Sequence, residues 1–313
     1  MNMNNIFTTF KRVLLLITIL SFYLSAMGSC SSDDSDNGAV PLEEWHEPLR
    51  IGTYNIQYDN LNDPSNPWNS RNTILEKLLK EYDFDILGAQ EPYLGQINDM
   101  MKYLDNYTYI GKDITGGTEE LRRHYVPIFY KKDKFDVLRS GMFWLSETPN
   151  VANSKGWDAY SVRICVWAQF KHKETGNEFY HFNVHFDHIG TTARQESAKL
   201  IVSKIKEIAG DQPNFVTGDF NSNQKSVAYN TIVTSGIVMD SYSRSEDKVN
   251  ANWPTYNGYK YISTPPANAS RIDHVFVTTK GTKVKSWQLI NADYSQKYPS
   301  DHYPVLIEWC FRK

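Results

Sequence analysis

Between residues 49 and 309 the chain repeats one device: a strand-length apolar run that stops at an amide, a carboxylate or an imidazole. Ile51-Gly52-Thr53-Tyr54 stops at Asn55, and Ile86 to Gln90 stops at Glu91. Phe182-Asn183-Val184 stops at His185, and Phe215 to Gly218 at Asp219, with Asn221 just beyond. Asp273 opens another run, and Asp301-His302 precedes the last. Short apolar runs bounded in this way read as buried strands. Polar strand ends that meet on one rim make a natural site, because the sheet fixes the side chains while loops admit a ligand.

Helical spacing fills the gaps. Apolar residues at 74, 75, 78 and 79 predict a helix over 72–82, after a Pro- and Asn-rich loop at 61–70. Further helices are expected at 97–104, 193–209 and 226–234. Strands are expected at 49–56, 85–89, 126–130, 135–138, 162–170, 179–186, 214–217, 271–278 and 303–309. With no repeat and no linker after residue 45, this reads as one α/β domain of packed sheets over 45–313.

Residues 1–29 read as an export signal, with Lys11 and Arg12 ahead of an apolar run from Val13 to Leu24. That run is short for a membrane span. Met27-Gly28-Ser29-Cys30 resembles a bacterial lipobox, in which Cys30 would be acylated and anchor the mature protein. An ordinary cleaved signal is the alternative. Residues 30–44 form an acidic tether. These features predict a monomer held outside the cytoplasm on a bacterial membrane, at the outer membrane or cell surface. Cys165 and Cys310 sit in apolar runs and read as separate buried thiols, with pairing as the alternative.

The formal charge is −3; loss of Lys11 and Arg12 leaves 31 basic against 36 acidic residues, or −5. Proteins that hold nucleic acid by bulk electrostatics are strongly basic. Phosphate chemistry here needs local positive charge from a metal or a few side chains. Glu91, Asn55 and Asp301 are hard oxygen ligands suited to Mg²⁺ or Mn²⁺, and a zinc-type Cys/His cluster is missing.

Thr53-Tyr54-Asn55-Ile56, Gln90-Glu91, Asn183-Val184-His185, Gly218-Asp219-Phe220-Asn221, Arg271-Ile272-Asp273-His274 and Ser300-Asp301-His302 occur in order. Together they resemble the motifs of the endonuclease/exonuclease/phosphatase superfamily, nearest its bacterial deadenylase-like branch. The resemblance implies a four-layer α/β sandwich, two packed, mainly antiparallel or mixed sheets flanked by helices. It implies a divalent-metal-dependent phosphoesterase that hydrolyses phosphodiesters, with nucleic acid the leading substrate. A phospholipid or phosphorylated metabolite is the alternative, and a non-catalytic, glycan-binding lipoprotein a further one. It also implies roles. Glu91, Asn55 and Asp301 would hold the metal, and Asp219 would orient or deprotonate water. Asn221 would hold the phosphate. His302, oriented by Asp273, would stabilise its charge or act as acid and base, and His185 would bind its other side.

Several residues stay open. Arg163 reads as a phosphate contact or a structural ion pair. Asp187 and Arg194 read as a salt bridge in a segment that also carries His188, and His274 as a packed histidine. His46 and His172 read as surface residues. Trp144, Trp157, Trp253, Tyr256 and Tyr259 are candidates for stacking on bases or sugars. His124 stands where relatives often carry a Glu paired with the motif histidine, with Glu120 the alternative occupant. An imidazole there would contact phosphate; it cannot raise the pKa of His185 as a carboxylate does and, if protonated, would lower it by like-charge repulsion.

Overall fold

The polar-ended runs form strands in the computed structural model, which describes residues 44–313. The signal segment, Cys30 and the tether up to residue 43 lie outside the described residues. In chain order the strands are β1 (Leu49–Asn55), β2 (Ile86–Gln90), β3 (Tyr107–Ile110), β4 (Ile128–Lys131), β5 (Phe135–Trp144), β6 (Ile164–His172), β7 (Glu178–His185), β8 (Asn214–Asp219), β9 (Met239–Asp240), β10 (Asp247–Val249), β11 (Asp273–Val277), β12 (Thr282–Leu289) and β13 (Val305–Phe311). They build a seven-stranded sheet, β10-β12-β13-β1-β2-β4-β3, and a six-stranded sheet, β5-β6-β7-β8-β11-β9. The helices are α1 (Trp68–Tyr82), α2 (Leu94–Met101), α3 (Thr191–Ile208), α4 (Val227–Val233) and the short α5 (Ser241–Arg244).

Strand alternation sorts the apolar residues into three cores. Ile51, Ile86, Phe170, Phe215, Val275, Ile307 and Trp309 fill the space between the sheets. Tyr54, Leu87 and Phe129 face outward and bury Leu75 and Leu79 of α1 and Ile97 and Met100 of α2. Phe182, Val216 and Phe276 do the same for Ala198, Ile201 and Ile205 of α3 and Ile232 of α4. The result is a four-layer α/β sandwich. Each such large side chain contributes about 1.5–3 kcal/mol by leaving water.

The deviations from the sequence reading have local causes. α1 begins at Trp68, because the extended Pro67 launches the helix and the Trp68 indole donates to Asp99 Oδ2 at 2.9 Å. β5 is ten residues long, not four, because its centre is an exposed sheet edge with no apolar signal. β12 was absent from the expected strands: a bulge between Val284 and Ser286 breaks its period-two alternation. His172 is buried rather than on the surface, packed on Phe135 and bonded to Thr175 Oγ1 at 3.0 Å. Cys165 and Cys310 are free buried thiols. Among the described residues no helix is long and apolar enough to cross a membrane.

Candidate active site

The register explains why the polar ends meet. β1 and β2 run parallel, as do β7 and β8, so Asn55, Gln90, His185 and Asp219 leave their strands on one rim. β13 is antiparallel to β1, and β11 to β8, so residues preceding or opening those strands reach the same rim. His185 is the register partner of Asp219, and Asp219 that of Asp273. Because Ile51, Thr53 and Asn55 share one face, as do Phe215, Thr217 and Asp219, the inter-sheet core becomes polar and then ionic toward the rim.

The polar layer beneath the rim clamps the sheets together. Asn183 Nδ2 donates to the carbonyls of Ala89 at 2.8 Å and Pro127 at 2.9 Å. Its Oδ1 accepts from Gln90 Nε2 at 2.8 Å and Thr217 Oγ1 at 2.9 Å. Thr217 Oγ1 lies 2.6 Å from His181 Nε2, which must therefore be the donor. A Cβ at Gly88 would stand 2.1 Å from Thr217 Oγ1 and 2.5 Å from Asn183 Oδ1, so only glycine lets the sheets approach here.

Two histidines face Asp219. His302 Nδ1 donates to Asp273 Oδ2 at 2.9 Å, and its Nε2 is 3.9 Å from Asp219 Oδ2. Burial opposes its charge, but Asp273 and then Asp219 push its pKa up to about 10, so the ring is an imidazolium. His185 Nδ1 lies 2.9 Å from Arg163 Nη1, a group that can only donate. The proton of His185 is thus on Nε2, which is 3.5 Å from Asp219 Oδ2 and 3.8 Å from Glu91 Oε1. Burial, then Arg163, then His124 hold its pKa well below the ordinary value, so it is a neutral donor.

Asn55 Nδ2 bridges the carboxylates, donating to Glu91 Oε1 at 2.9 Å and Asp219 Oδ2 at 3.1 Å. Asn221 donates its backbone N–H to Asp219 Oδ1 at 2.8 Å and its amide to the Phe186 carbonyl at 3.0 Å. Burial first, then Asp273, raises the pKa of Asp219. Gln57, Glu91 and Asn221 adopt left-handed φ of 52°, 74° and 46° just past strand ends, a conformation unusual for such residues and concentrated at functional sites. Ligand atoms of Glu91, His185 and Asp219 lie within 4.8 Å of one another, as do those of Asp219, Asp273 and His302. In the first set His185 presents a protonated Nε2, so the oxygen donors for a hard divalent cation are the Glu91 and Asp219 carboxylates, both bonded to the Asn55 amide.

Not every expected role matches its placement. Asp301 lines the cleft but stands outside both sets; its carboxylate accepts from Gln57 Nε2 at 3.1 Å and Ser300 Oγ at 3.3 Å. Arg163 is committed to protein partners: besides His185 it reaches Asp187 Oδ2 at 3.4 Å and His188 Nδ1 at 3.0 Å. The expected Asp187–Arg194 salt bridge is not formed. Asp187 takes the N–H groups of Tyr160, Ser161, Ile189 and Gly190, while Arg194 donates to its backbone carbonyl at 3.0 Å. His124 lines the cleft and Glu120 is exposed outside its lining. His124 ranks behind burial and Arg163 in keeping His185 neutral, which corrects the weight the sequence reading gave it. His274 is packed, with Nε2 bonded to the Ser222 carbonyl at 2.9 Å. Trp144 is buried and donates to the Ile114 carbonyl, and the half-buried Trp253 meets Tyr303 edge-on; neither lines the cleft. Tyr256 lies over His302 on the cleft wall, and Tyr259 bonds Gln57 Oε1 at 2.5 Å.

The cleft has a volume of about 640 Å³. The sequence reading missed Gln57, Tyr58, Tyr93 and Tyr160 among its lining residues. For Gln57 and Tyr58 the available signal was proximity to Asn55; Tyr160 sits in a loop with none.

The Endonuclease/Exonuclease/phosphatase family profile matches residues 52–302. A solved mannosyl-6-phosphatase of Bacteroides thetaiotaomicron VPI-5482 is 39% identical with a TM-score of 0.78, covering 84% of this chain and 100% of that one. An uncharacterized mimivirus protein is 29% identical over 254 residues, which is 77% of this chain and 91% of the relative. The CCR4-Not complex 3'-5'-exoribonuclease subunit Ccr4 of Saccharomyces cerevisiae is 22% identical over 79% of this chain, but only 36% of its own length is matched. With ordered motifs, a four-layer sandwich and a profile match across nearly the whole described domain, the chain belongs to the endonuclease/exonuclease/phosphatase family.

Proposed function

We propose that this protein is a lipid-anchored, extracytoplasmic, monomeric phosphoesterase that uses Mg²⁺ or Mn²⁺ to hydrolyse the phosphomonoester of a small phosphorylated sugar. The charge of the cleft carries the substrate reading. Arg163 is the one Lys or Arg among the lining residues, and its guanidinium is already shared by Asp187, His185 and His188. Polynucleotides are held by rows of basic side chains; one committed guanidinium suits a single phosphate on a neutral alcohol. The similarity to a mannosyl-6-phosphatase supports this reading. Nucleic acid is the second reading, favoured by the exposed rings of Tyr160 and Tyr256 at the cleft.

A divalent cation held by Glu91 and Asp219, with Asn55 beside them, would neutralise charge on the phosphate oxygens. Asp219, oriented by the Asn221 N–H, would accept the proton of the attacking water. His302 donates Nε2–H to oxygens that gain charge, and Asp273 keeps it cationic. His185 donates Nε2–H as a neutral group, and Asn221 orients Asp219 through its backbone.

The test is a panel of hexose 6-phosphates, glycerol 3-phosphate, oligo(A), DNA and sphingomyelin with Mg²⁺, Mn²⁺ or EDTA. Metal-dependent phosphate release from a hexose 6-phosphate is expected. Faster turnover of oligo(A) would replace the substrate reading, and undiminished rates in EDTA would remove the metal. Mass spectrometry of the mature amino terminus, with Cys30→Ser as control, tests the anchor.

A further inference from the structure

One wall of the cleft is a corner of three rings. The Tyr58 and Tyr93 centroids are 5.4 Å apart, and the His124 imidazole lies 5.0 Å from the first and 5.1 Å from the second. All three line the cleft and are half-buried. The wall is braced from behind by buried Gln96, which accepts from the backbone N–H groups of Asp59 at 2.8 Å and Tyr93 at 3.0 Å and donates to the Gln57 carbonyl at 2.9 Å. Arg122 lies 5.2 Å over the Tyr93 ring and pairs with Asp59 at 2.9 Å. The Tyr58 N–H points to Glu91 Oε2 at 3.4 Å, so the wall begins beside the carboxylates.

All three rings present polar edges at the cleft wall, the Tyr58 hydroxyl and the His124 ring nitrogens among them. The rings are inclined by 46°, 57° and 81° to one another, a concave corner rather than a flat stacking face. A planar base needs a flat platform. A puckered sugar ring offers a C–H face to aromatic carbons and hydroxyls to the polar edges. We propose that Tyr58, Tyr93 and His124 form the platform that seats the sugar ring of the leaving alcohol, an inference that rests on the sugar-phosphate reading above. Position 124 then serves recognition, since Arg163 already occupies the far nitrogen of His185.

The experiment uses the full-length protein with Mn²⁺ and compares mannose 6-phosphate with glycerol 3-phosphate, which carries the same phosphate without the ring. Tyr93→Ala and His124→Ala should each lose about tenfold or more in kcat/KM for the hexose phosphate, mostly through KM, and clearly less for glycerol phosphate. Tyr93→Phe, which keeps the ring and the fold, should recover most of the loss. Saturation-transfer NMR with free mannose on the metal-free protein should give a signal that Tyr93→Ala removes. Equal losses on both substrates, or no mannose signal from the wild type, would overturn the platform while leaving sugar-phosphate turnover standing. A wild type that processes oligo(A) but no hexose phosphate would overturn the function, and the mannose signal would then decide the platform independently.

Discussion

His302 and His185 both approach Asp219 Oδ2, at 3.9 and 3.5 Å, and both are buried. What stands behind each ring makes them different tools. A carboxylate, Asp273, accepts from Nδ1 of His302; a guanidinium, Arg163, donates to Nδ1 of His185. Burial disfavours the cation in both cases, and only in the first is it overcome. The charge state of a histidine at such a site is therefore set by the partner at its far nitrogen.

The largest expected effects break the carboxylate side. Asp219→Asn and His302→Ala should each lose on the order of 10²–10⁴-fold in kcat, the range for a positioned base or charge stabiliser. Glu91→Gln should nearly abolish turnover, as EDTA should. Circular dichroism must show these variants folded; losses below about tenfold in both Asp219→Asn and His302→Ala would place the chemistry elsewhere.

The guanidinium side should give a smaller loss, because it orients a neutral donor instead of creating a charge. Arg163→Met should reduce kcat by about tenfold, near the loss of one aligned hydrogen bond. Arg163→Glu sharpens the comparison by giving His185 the kind of partner His302 has. ¹⁵N chemical shifts should then report an imidazolium at His185, where the wild type reports a neutral ring protonated on Nε2. A wild-type His185 that titrates near its ordinary value would erase the contrast.

This difference marks how far the sequence could be read. The strand ends and the rim they share were legible, because short apolar runs with polar ends encode them directly, while the pairing of Asp273 with His302 came only with the family resemblance of the ordered motifs. The guanidinium behind His185 was not legible. Arg163 lies one residue before β6, and its meeting with His185 depends on the antiparallel pairing of β6 with β7. The expected Asp187–Arg194 salt bridge gives way to four backbone N–H groups that hold the carboxylate. Likewise, the ring corner joins Tyr58, Tyr93 and His124 from three separate loops. Long-range loop contacts leave no periodic trace in a single chain.

The layer below the rim serves both histidines, so disturbing it should affect both sides alike. Gly88→Ala forces a methyl against Thr217 and Asn183, and overpacking of this kind costs about 1–3 kcal/mol. Thermal melts should show that loss, with a decline in kcat that no single histidine variant reproduces. An unchanged melt would mean the sheets are not clamped at this layer.

The smallest effect is the pH dependence of stability, where the two sides should carry opposite signs. His302 has a folded pKa raised to about 10, so its contribution is full below the unfolded value of about 6.5 and is lost as pH climbs through 10. His185 has a folded pKa well below that unfolded value, so its contribution is present above about pH 6.5 and fades as pH falls. Asp187 adds a second acid step. Burial works against its charge, but backbone donors led by Gly190 hold its pKa low, so its stabilisation is present above about pH 3.9 and is lost below. Melting temperature measured across pH should therefore peak near neutrality and fall on both sides. Asp273→Asn should flatten the alkaline fall and spare the acid one, whereas Asp187→Asn should remove the lower acid step and leave the alkaline fall unchanged. If Asp273→Asn flattened the acid side instead, the assignment of charge to His302 and neutrality to His185 would have to be reversed.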